Sequence, residues 1–385
     1  LLNPSVFLST FKLVNLALVA YLFLPYLIIF VPKLSSIMPN KLKRTELHEL
    51  GEFRLIDHLT QNAKATNDST ILGVGDDAAV IDPAGKRMVV TTDLLLEGVH
   101  FDLTYFPIRH LGYKAVIVNL SDVYAMNATP KQITVSLGIS KRFCLEDLDE
   151  LYNGIYLACE KYGVDLVGGD TSTSYTGLTI SVTAIGEANE NELCYRSGAK
   201  VNDLICVTGN LGAAYMGLQL LEREKKVFEG NPNVKPQFTG WDYILERFLK
   251  PEARRPILEK LRALGIKPNA MIDISDGLSS EAMHICKNSK VGCRIYLEKL
   301  PIDQQTFKIA EEMGIDAIVA ALNGGEDYEL LFTVPIEQHD KVLGMEGVSI
   351  IGHITAENTG AFLITPDDKE IQLKAQGWNA IVEKE

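Results

Sequence analysis

The chain has 385 residues, 46% of them hydrophobic and 23% charged, with 30 glycines and 15 prolines. That is the composition of a globular protein of about two domains and excludes the disordered and collagenous classes. Its 37 basic and 50 acidic side chains leave a net charge of −13 without a Lys/Arg-rich run, which argues against a nucleic-acid backbone as partner and requires any anionic substrate to meet locally compensated charge.

Leu13 to Val31 form one uncharged apolar run, interrupted by Asn15 and Pro25, long enough to span a bilayer. The chain opens on Leu1, has no basic n-region beyond Lys12, and lacks a small-residue cleavage site before the polar stretch. Residues 1–37 therefore read as an apolar leader outside the folded protein rather than as an anchor, and membrane association is not expected. A chain begun at Met38, the first methionine, is expected to carry the whole activity. Residues 1–37 hold Lys12 and Lys33 and no acid, so the remaining body has a net charge of −15.

From Glu46 onward helical and strand periodicities alternate, the pattern of an α/β protein (α+β mixed sheets with helices). Ile133, Val135, Leu137 and Ile139, and again Leu178, Ile180, Val182 and Ala184, alternate as half-buried strands. Between them Leu148, Leu151, Ile155, Ala158, Cys159 and Tyr162 recur at helical spacing, and Tyr113 to Leu120 reads as part of a second buried helix. The polar stretch Ala188–Gly198 divides an N-terminal domain, 46–188, from a C-terminal one, 196–385. The second half restarts with a strand at Asp203–Thr208 and continues through a Gly/Pro/Asn-rich loop at Glu229–Gly240 to further strands at Ala270–Ile274 and Tyr328–Val334. The six cysteines (Cys144, Cys159, Cys194, Cys206, Cys286, Cys293) never approach a C-x-x-C spacing. They read as small core residues of a reducing compartment, in neither a zinc site nor a disulfide framework.

Six loops place acids beside Gly, Ser or Thr at the ends of apolar elements: GVGDDAAV (Asp76, Asp77), VVTTDLLLEGVHF (Thr91, Thr92, Asp93, then His100), NLSD (Ser121, Asp122), VGGDTST (Gly169, Asp170), IDISDGLSSE (Asp273, Ser275, Asp276) and NGGEDYEL (Glu326, Asp327). Each alone is equally well a capped helix or an Asx turn. NLSD is expected to end a helix, Thr91 to Asp93 to end a strand, Asp170 to stand at a strand tip, and Ser275 or Asp276 to cap the following helix. Together the six raise the odds that carboxylates converge, and convergent carboxylates need cations. Mg²⁺, a hard ion bridging a few carboxylates to substrate phosphates, fits best. No P-loop or protein-kinase motif set is present, so ATP would be held by a different scaffold.

In order along the chain, GVGDDAA, TTDLLLEGVHF, NLSD, VGGDTS, YRSGAK, DISDGL and GGEDYEL resemble the thiamine-monophosphate kinase family, of the superfamily that includes aminoimidazole-ribonucleotide synthetase and selenophosphate synthetase. The likeness runs from about Gly51 to about Trp378. It implies a two-domain aminoimidazole-ribonucleotide synthetase-like fold, a homodimer with active sites at domain and subunit junctions, and a cytoplasmic enzyme. It further implies Mg²⁺ ligands at Asp77, Thr91, Thr92, Asp93, Asp122, Asp170, Asp273 and Asp276, ATP contacts at Tyr152, Gly169, Asp170, Arg196 and Ser275, and thiamine monophosphate contacts at His100, Glu326 and Trp378. Arg196 can fork onto phosphate oxygens, Trp378 can face the cationic thiazolium, and Glu326 can pair with the aminopyrimidine or the charge. The sequence departs from the family pattern in its leader and in Asn379, where an acid is often found.

The implied reaction is ATP-dependent phosphorylation of thiamine monophosphate to thiamine diphosphate, by in-line transfer to a phosphate oxygen that is already largely ionised. No residue is assigned as a general base; Asp93 and Asp122 act through the metal. One alternative is another ATP-dependent enzyme of the same superfamily, although no cysteine precedes Cys144 to serve as the nucleophile of selenophosphate synthesis. A second alternative is a non-catalytic nucleotide-binding regulatory protein.

Overall fold

The computed structural model describes Thr45, residues 52–74 and residues 80–375; the apolar leader, Asp76, Asp77 and Trp378 lie outside the described residues. The N-terminal half contains α1 (Glu52–Thr60), β1 (Thr70–Leu72), β2 (Val80–Ile81), β3 (Arg87–Leu96), α2 (Ile108–Ala125), β4 (Thr129–Ile139), α3 (Leu145–Tyr162), β5 (Asp165–Thr173) and β6 (Thr179–Ala188). Its four-stranded sheet runs β3-β6-β4-β5. β6 is antiparallel to both neighbours, while β4 and β5 are parallel and joined through α3, as a parallel pair requires a crossover.

Alternation divides the sheet into two faces. Ile133, Val135, Leu137, Ile180, Val182 and Ala184 are all buried on the face crossed by α2, which in turn packs on α3. The two helices meet at glycines: a Cβ on Gly154 would lie 1.9 Å from the carbonyl oxygen of Arg109. On the other face Val90 and Leu94 remain 64% and 52% exposed.

The C-terminal half begins with β7 (Leu204–Thr208), α4 (Ala213–Gly230), α5 (Asp242–Leu249), α6 (Arg255–Ala263), β8 (Ala270–Ile274), α7 (Leu278–Ser289) and β9 (Val291–Tyr296). It continues through α8 (Gln304–Met313), α9 (Ala317–Asn323), β10 (Glu329–Val334), α10 (His339–Leu343), β11 (Val348–Ala356), β12 (Ala361–Ile364) and β13 (Glu370–Gln372). Its mixed seven-stranded sheet runs β13-β12-β9-β11-β7-β10-β8, with α7 packed on β8 and β9. The α/β class with mixed sheets, read from the alternating periods, is what the chain adopts.

α2 joins the halves. It is buried around nearly its whole circumference, with Leu111, Tyr113, Val116, Ile117, Leu120 and Val123 among its buried residues, because it packs on the N-terminal sheet, on α5 and on β8 at once. A largely apolar helix belongs in such a position. Among the described residues no helix is long and apolar enough to cross a membrane.

Local expectations are corrected in four places. β3 runs through Thr91–Asp93 to Leu96 because the ladder with β6 continues to Leu96↔Thr179; pairing outweighs the low strand propensity of Asp. Asp170 lies within β5 rather than at its tip, since β5 stays paired with β4 to Thr173. NLSD lies inside α2, which its packing extends to Ala125. Neither Ser275 nor Asp276 caps α7, whose N-cap is Gly277 without a side-chain cap bond.

Asp165 ties the segment before the GVGDD loop to β5. Its carboxylate, in a residue 1% exposed, accepts hydrogen bonds from Thr66 N (2.9 Å), Thr66 Oγ1 (2.7 Å), Asn67 N (3.0 Å) and Thr70 Oγ1 (2.7 Å). Burial acts to raise its pKa, but the bonds from Thr70, Thr66 and Asn67 outweigh burial and hold it below the usual carboxylate range. A depressed carboxyl contributes stability that is present above its unfolded pKa and is lost as pH falls through the folded value. Asp165→Asn is expected to cost about 2–3 kcal/mol at neutral pH, with the gap closing below about pH 4. Thermal melts of both proteins across that range check it; a pH-independent gap would refute the ionic contribution.

Candidate active site

Ser121 and Asp122 follow Lys114 by about two helical turns on α2, and Lys114 and Ser121 share a stripe that meets the C-terminal half. Ser121 Oγ donates to Asp273 Oδ2 of β8 at 2.7 Å. Thr91 Oγ1 of β3 donates to Asp122 Oδ2 at 2.6 Å. Asn119, also on α2, accepts the backbone N–H of Asp93 on its Oδ1 at 3.0 Å and donates through Nδ2 to Ala115 O. Three acids from β3, α2 and β8 are thereby brought together.

Their electrostatics record the crowding. Burial, then the charge of Asp122, pushes Asp93 up to about 6. Burial, Asp122 and Asp93 push Asp273 up to about 7 against the opposing bond from Ser121 and the charge of Arg196. Asp122 is also raised, by burial, with Thr91 and Arg196 opposing. Glu281 of α7 is pushed up to about 8, chiefly by burial; its Oε1 accepts the Asp276 N–H at 3.2 Å, and its Oε2 is buried without a partner among the described residues.

A cavity of about 470 Å³ opens beside the acids, lined by Val89–Thr91, Asp122, Ala125, Met126, Tyr195–Ser197, Met271–Asp273 and Asn288. Its size suits a small-molecule ligand, and Arg196 supplies the compensating positive charge that an acidic chain requires for a phosphate.

A second group adjoins the first. The NGGEDYEL turn lies on the backbone of the DISDG turn, with Glu326 N donating to Ser275 O at 2.7 Å and Tyr328 N to Ile274 O at 2.9 Å. Glu326 and Tyr328 take φ of +58° and +50°, a conformation that costs non-glycine residues about 1 kcal/mol or more. Glu326 is paired with Lys114 at 2.7 Å, and His100 feels both charges. His100 Nδ1 accepts the Leu96 N–H at 3.0 Å, so the neutral ring carries its proton on Nε2.

The remaining candidates are dispersed. Thr92 points to the open face of the sheet, where its hydroxyl donates to Val182 O and accepts from Thr183. Gly169 and Asp170 are on β5, the opposite edge of the sheet from β3; a Cβ on Gly169 would meet Val135 O at 1.8 Å. Asp170 is exposed and its carboxylate accepts the Thr171 N–H. Tyr152 is buried in α3 with its ring against Tyr156. Ser275 and Asp276 are exposed at the turn after β8. Asp327 turns inward, fully buried, where it accepts the Gly212 N–H ahead of α4; it is part of the scaffold.

The family models for the AIR synthase related protein match in both halves, the N-terminal domain over residues 75–188 and the C-terminal domain over residues 200–364. A thiamine-monophosphate kinase of Aquifex aeolicus (strain VF5) is 37% identical over 332 residues, 86% of this chain and 98% of the relative. The chain belongs to the thiamine-monophosphate kinase family. The kinship read from the ordered motifs is thus borne out. The thiamine-monophosphate kinase structure from Stenotrophomonas maltophilia K279a aligns with a TM-score of 0.71 at 31% identity, covering 84% of this chain and 98% of that one. The structure of AaThiL complexed with AMPPCP and TMP aligns with a TM-score of 0.67 at 34% identity, covering 88% and 99%.

Lys114 and Glu281 were given no role in the sequence, and Asn119 and Ser121 entered only as members of the NLSD motif, without a place in the site. A signal existed for the first: a lysine inside an otherwise apolar helix, two turns before Ser-Asp, is on the same stripe.

Proposed function

We propose that this member of the thiamine-monophosphate kinase family transfers the γ-phosphoryl group of ATP to the phosphate of thiamine monophosphate, giving ADP and thiamine diphosphate. The observation that carries this reading is the convergence of Asp93, Asp122 and Asp273 beside a cavity that also holds Arg196. ATP-dependent formation of thiamine diphosphate, with matching ADP release, tests it; ADP release unaffected by thiamine monophosphate would overturn it.

The donor set fits Mg²⁺. Asp93, Asp122 and Asp273 present only hard oxygens and raise one another's affinity for positive charge. Among the described residues no group of three or more acids, histidines or cysteines forms a ready metal cage, and Mg²⁺ typically takes one or two carboxylates and completes its shell with water and phosphate. Bound there, Mg²⁺ would supply charge neutralisation between two anionic reactants. Thr91 and Ser121 orient the carboxylates, Arg196 meets phosphate oxygens, and His100 keeps the acceptor contact that the family implies. The acceptor's phosphate has a second pKa of about 6 and needs no base. Trp378 and Asp77 keep the roles that the family implies, as do Tyr152 and Ser275 at the nucleotide.

Asp170 belongs to the same reading through a second copy of the chain. β5 and β3 are separated by β6 and β4, on the order of 14 Å at ordinary strand spacing. The uncovered face, with Val90 64% and Leu94 52% exposed, suits pairing of two sheets in a homodimer. A mixture of Asp93→Asn and Asp170→Asn chains, each inactive alone, is expected to recover about a quarter of full activity after reassembly, since half the dimers are mixed and each holds one intact site. No recovery would place both acids in one subunit's site. The six cysteines, all free and buried, suit a reducing cytoplasm.

A further inference from the structure

We infer that Lys114 is a positioning residue of the acceptor pocket: it occupies Oε2 of Glu326 and leaves Oε1 as the acceptor that meets thiamine monophosphate. Its role rests on the reading of Glu326 as a substrate contact, and extends it to what fixes that carboxylate's place and net charge.

Lysine is almost never fully buried unless paired, and Lys114 is 1% exposed in the middle of α2. Its Nζ donates to Glu326 Oε2 at 2.7 Å and to Phe248 O at 3.1 Å. The ammonium also lies 4.1 Å from the ring centroid of Phe248 and 5.4 Å from that of Phe106, where aromatic faces replace part of its lost hydration. Core packing alone would be served by a methionine of similar length at this position; a charge there has to be held by partners, and one of them opens toward solvent.

The pair is open on the acid's side only, with side-chain exposures of 2% for Lys114 and 30% for Glu326. An arriving ligand therefore meets the carboxylate and not the ammonium. The backbone of Glu326 is already pinned by its bond to Ser275 O and held at φ +58°, so Lys114 supplies the remaining restraint, on the carboxyl group itself.

The consequence is chemical. A lone carboxylate attracts any cation, whereas a carboxylate already paired with a buried ammonium has little net charge and discriminates by direction, accepting one N–H. The amino group of an aromatic heterocycle, such as the aminopyrimidine of thiamine monophosphate, is the matching ligand class.

The test uses the full chain with Lys114→Met, Glu326→Gln and the double variant, measuring KM for thiamine monophosphate and for ATP separately. Lys114→Met is expected to raise the first by about tenfold or more with kcat less affected, and to leave the second within about twofold. The double variant should be little worse than either single one, because both remove the same contact. An unchanged KM for thiamine monophosphate in Lys114→Met, while Glu326→Gln raises it, overturns the role of Lys114 alone. Equal loss for both substrates, or failure to fold, assigns Lys114 to the packing between the halves and overturns it also. If Glu326→Gln itself leaves the KM for thiamine monophosphate unchanged, the substrate contact falls, and the role of Lys114 with it.

Discussion

Asp93→Asn is expected to lower turnover roughly a thousandfold while leaving the ligand-free protein at least as stable as the parent. The two effects have one cause. Asp93 is buried beside Asp122, which pushes its carboxyl up to about 6, so at neutral pH it is ionised against an opposing environment. Each pKa unit corresponds to about 1.4 kcal/mol, and a neutral amide of the same shape should recover about 1 kcal/mol of it. The contact that places residue 93 is made by its backbone N–H to Asn119 and survives the substitution. Catalysis is lost because the amide cannot contribute the negative charge that draws a cation to the reacting phosphates. Asp122→Asn should behave alike, since an amide oxygen can still accept from Thr91. Turnover with ATP and thiamine monophosphate, together with the Tm of the ligand-free variants, checks both halves; near-normal Mg²⁺-dependent turnover by both variants would remove the metal assignment.

Free thiamine should be at least a hundredfold poorer an acceptor than thiamine monophosphate, and thiamine diphosphate should bind without being extended. Thiamine ends in a neutral alcohol whose proton must leave during attack, and a positioned general base typically contributes a hundredfold or more to such a step. Among the described residues the site offers none suited to that task. His100 has Nδ1 engaged by the Leu96 N–H, which leaves the proton of the neutral ring on Nε2, and burial lowers its pKa although Glu326 opposes this. Thiamine monophosphate brings an oxygen already ionised near neutral pH. A longer chain on the same heterocycle would carry its outer phosphate past the transfer position if His100, Glu326 and Trp378 hold the ring end. Product formation from the three acceptors at saturating ATP and Mg²⁺ measures this; efficient phosphorylation of thiamine would refute the absence of a base.

Local patterns in the chain were enough to locate the strand Ala270–Ile274, the buried helices and the loops bearing acids beside glycine or serine, because alternation and turn chemistry act over a few neighbours. Element ends were less legible. Asp93, Asp122 and Asp170 look like terminal residues when only their own propensities are weighed, yet each lies inside an element that tertiary pairing or packing prolongs.

The sequence by itself determined the α/β class, the ordered motif set and hence the family, for these depend on residue type and spacing along the chain. Only the tertiary structure decided which acids meet. Asp93, Asp122 and Asp273 come from β3, α2 and β8, brought together because α2 is buried between two sheets. Asp170, with an equally suggestive motif, is left at the far edge by the order β3-β6-β4-β5. The pairing of Lys114 with Glu326 across the two halves was likewise beyond any local pattern. Strand order and helix packing are set by the burial of apolar faces over the whole molecule, and no single motif carries that information.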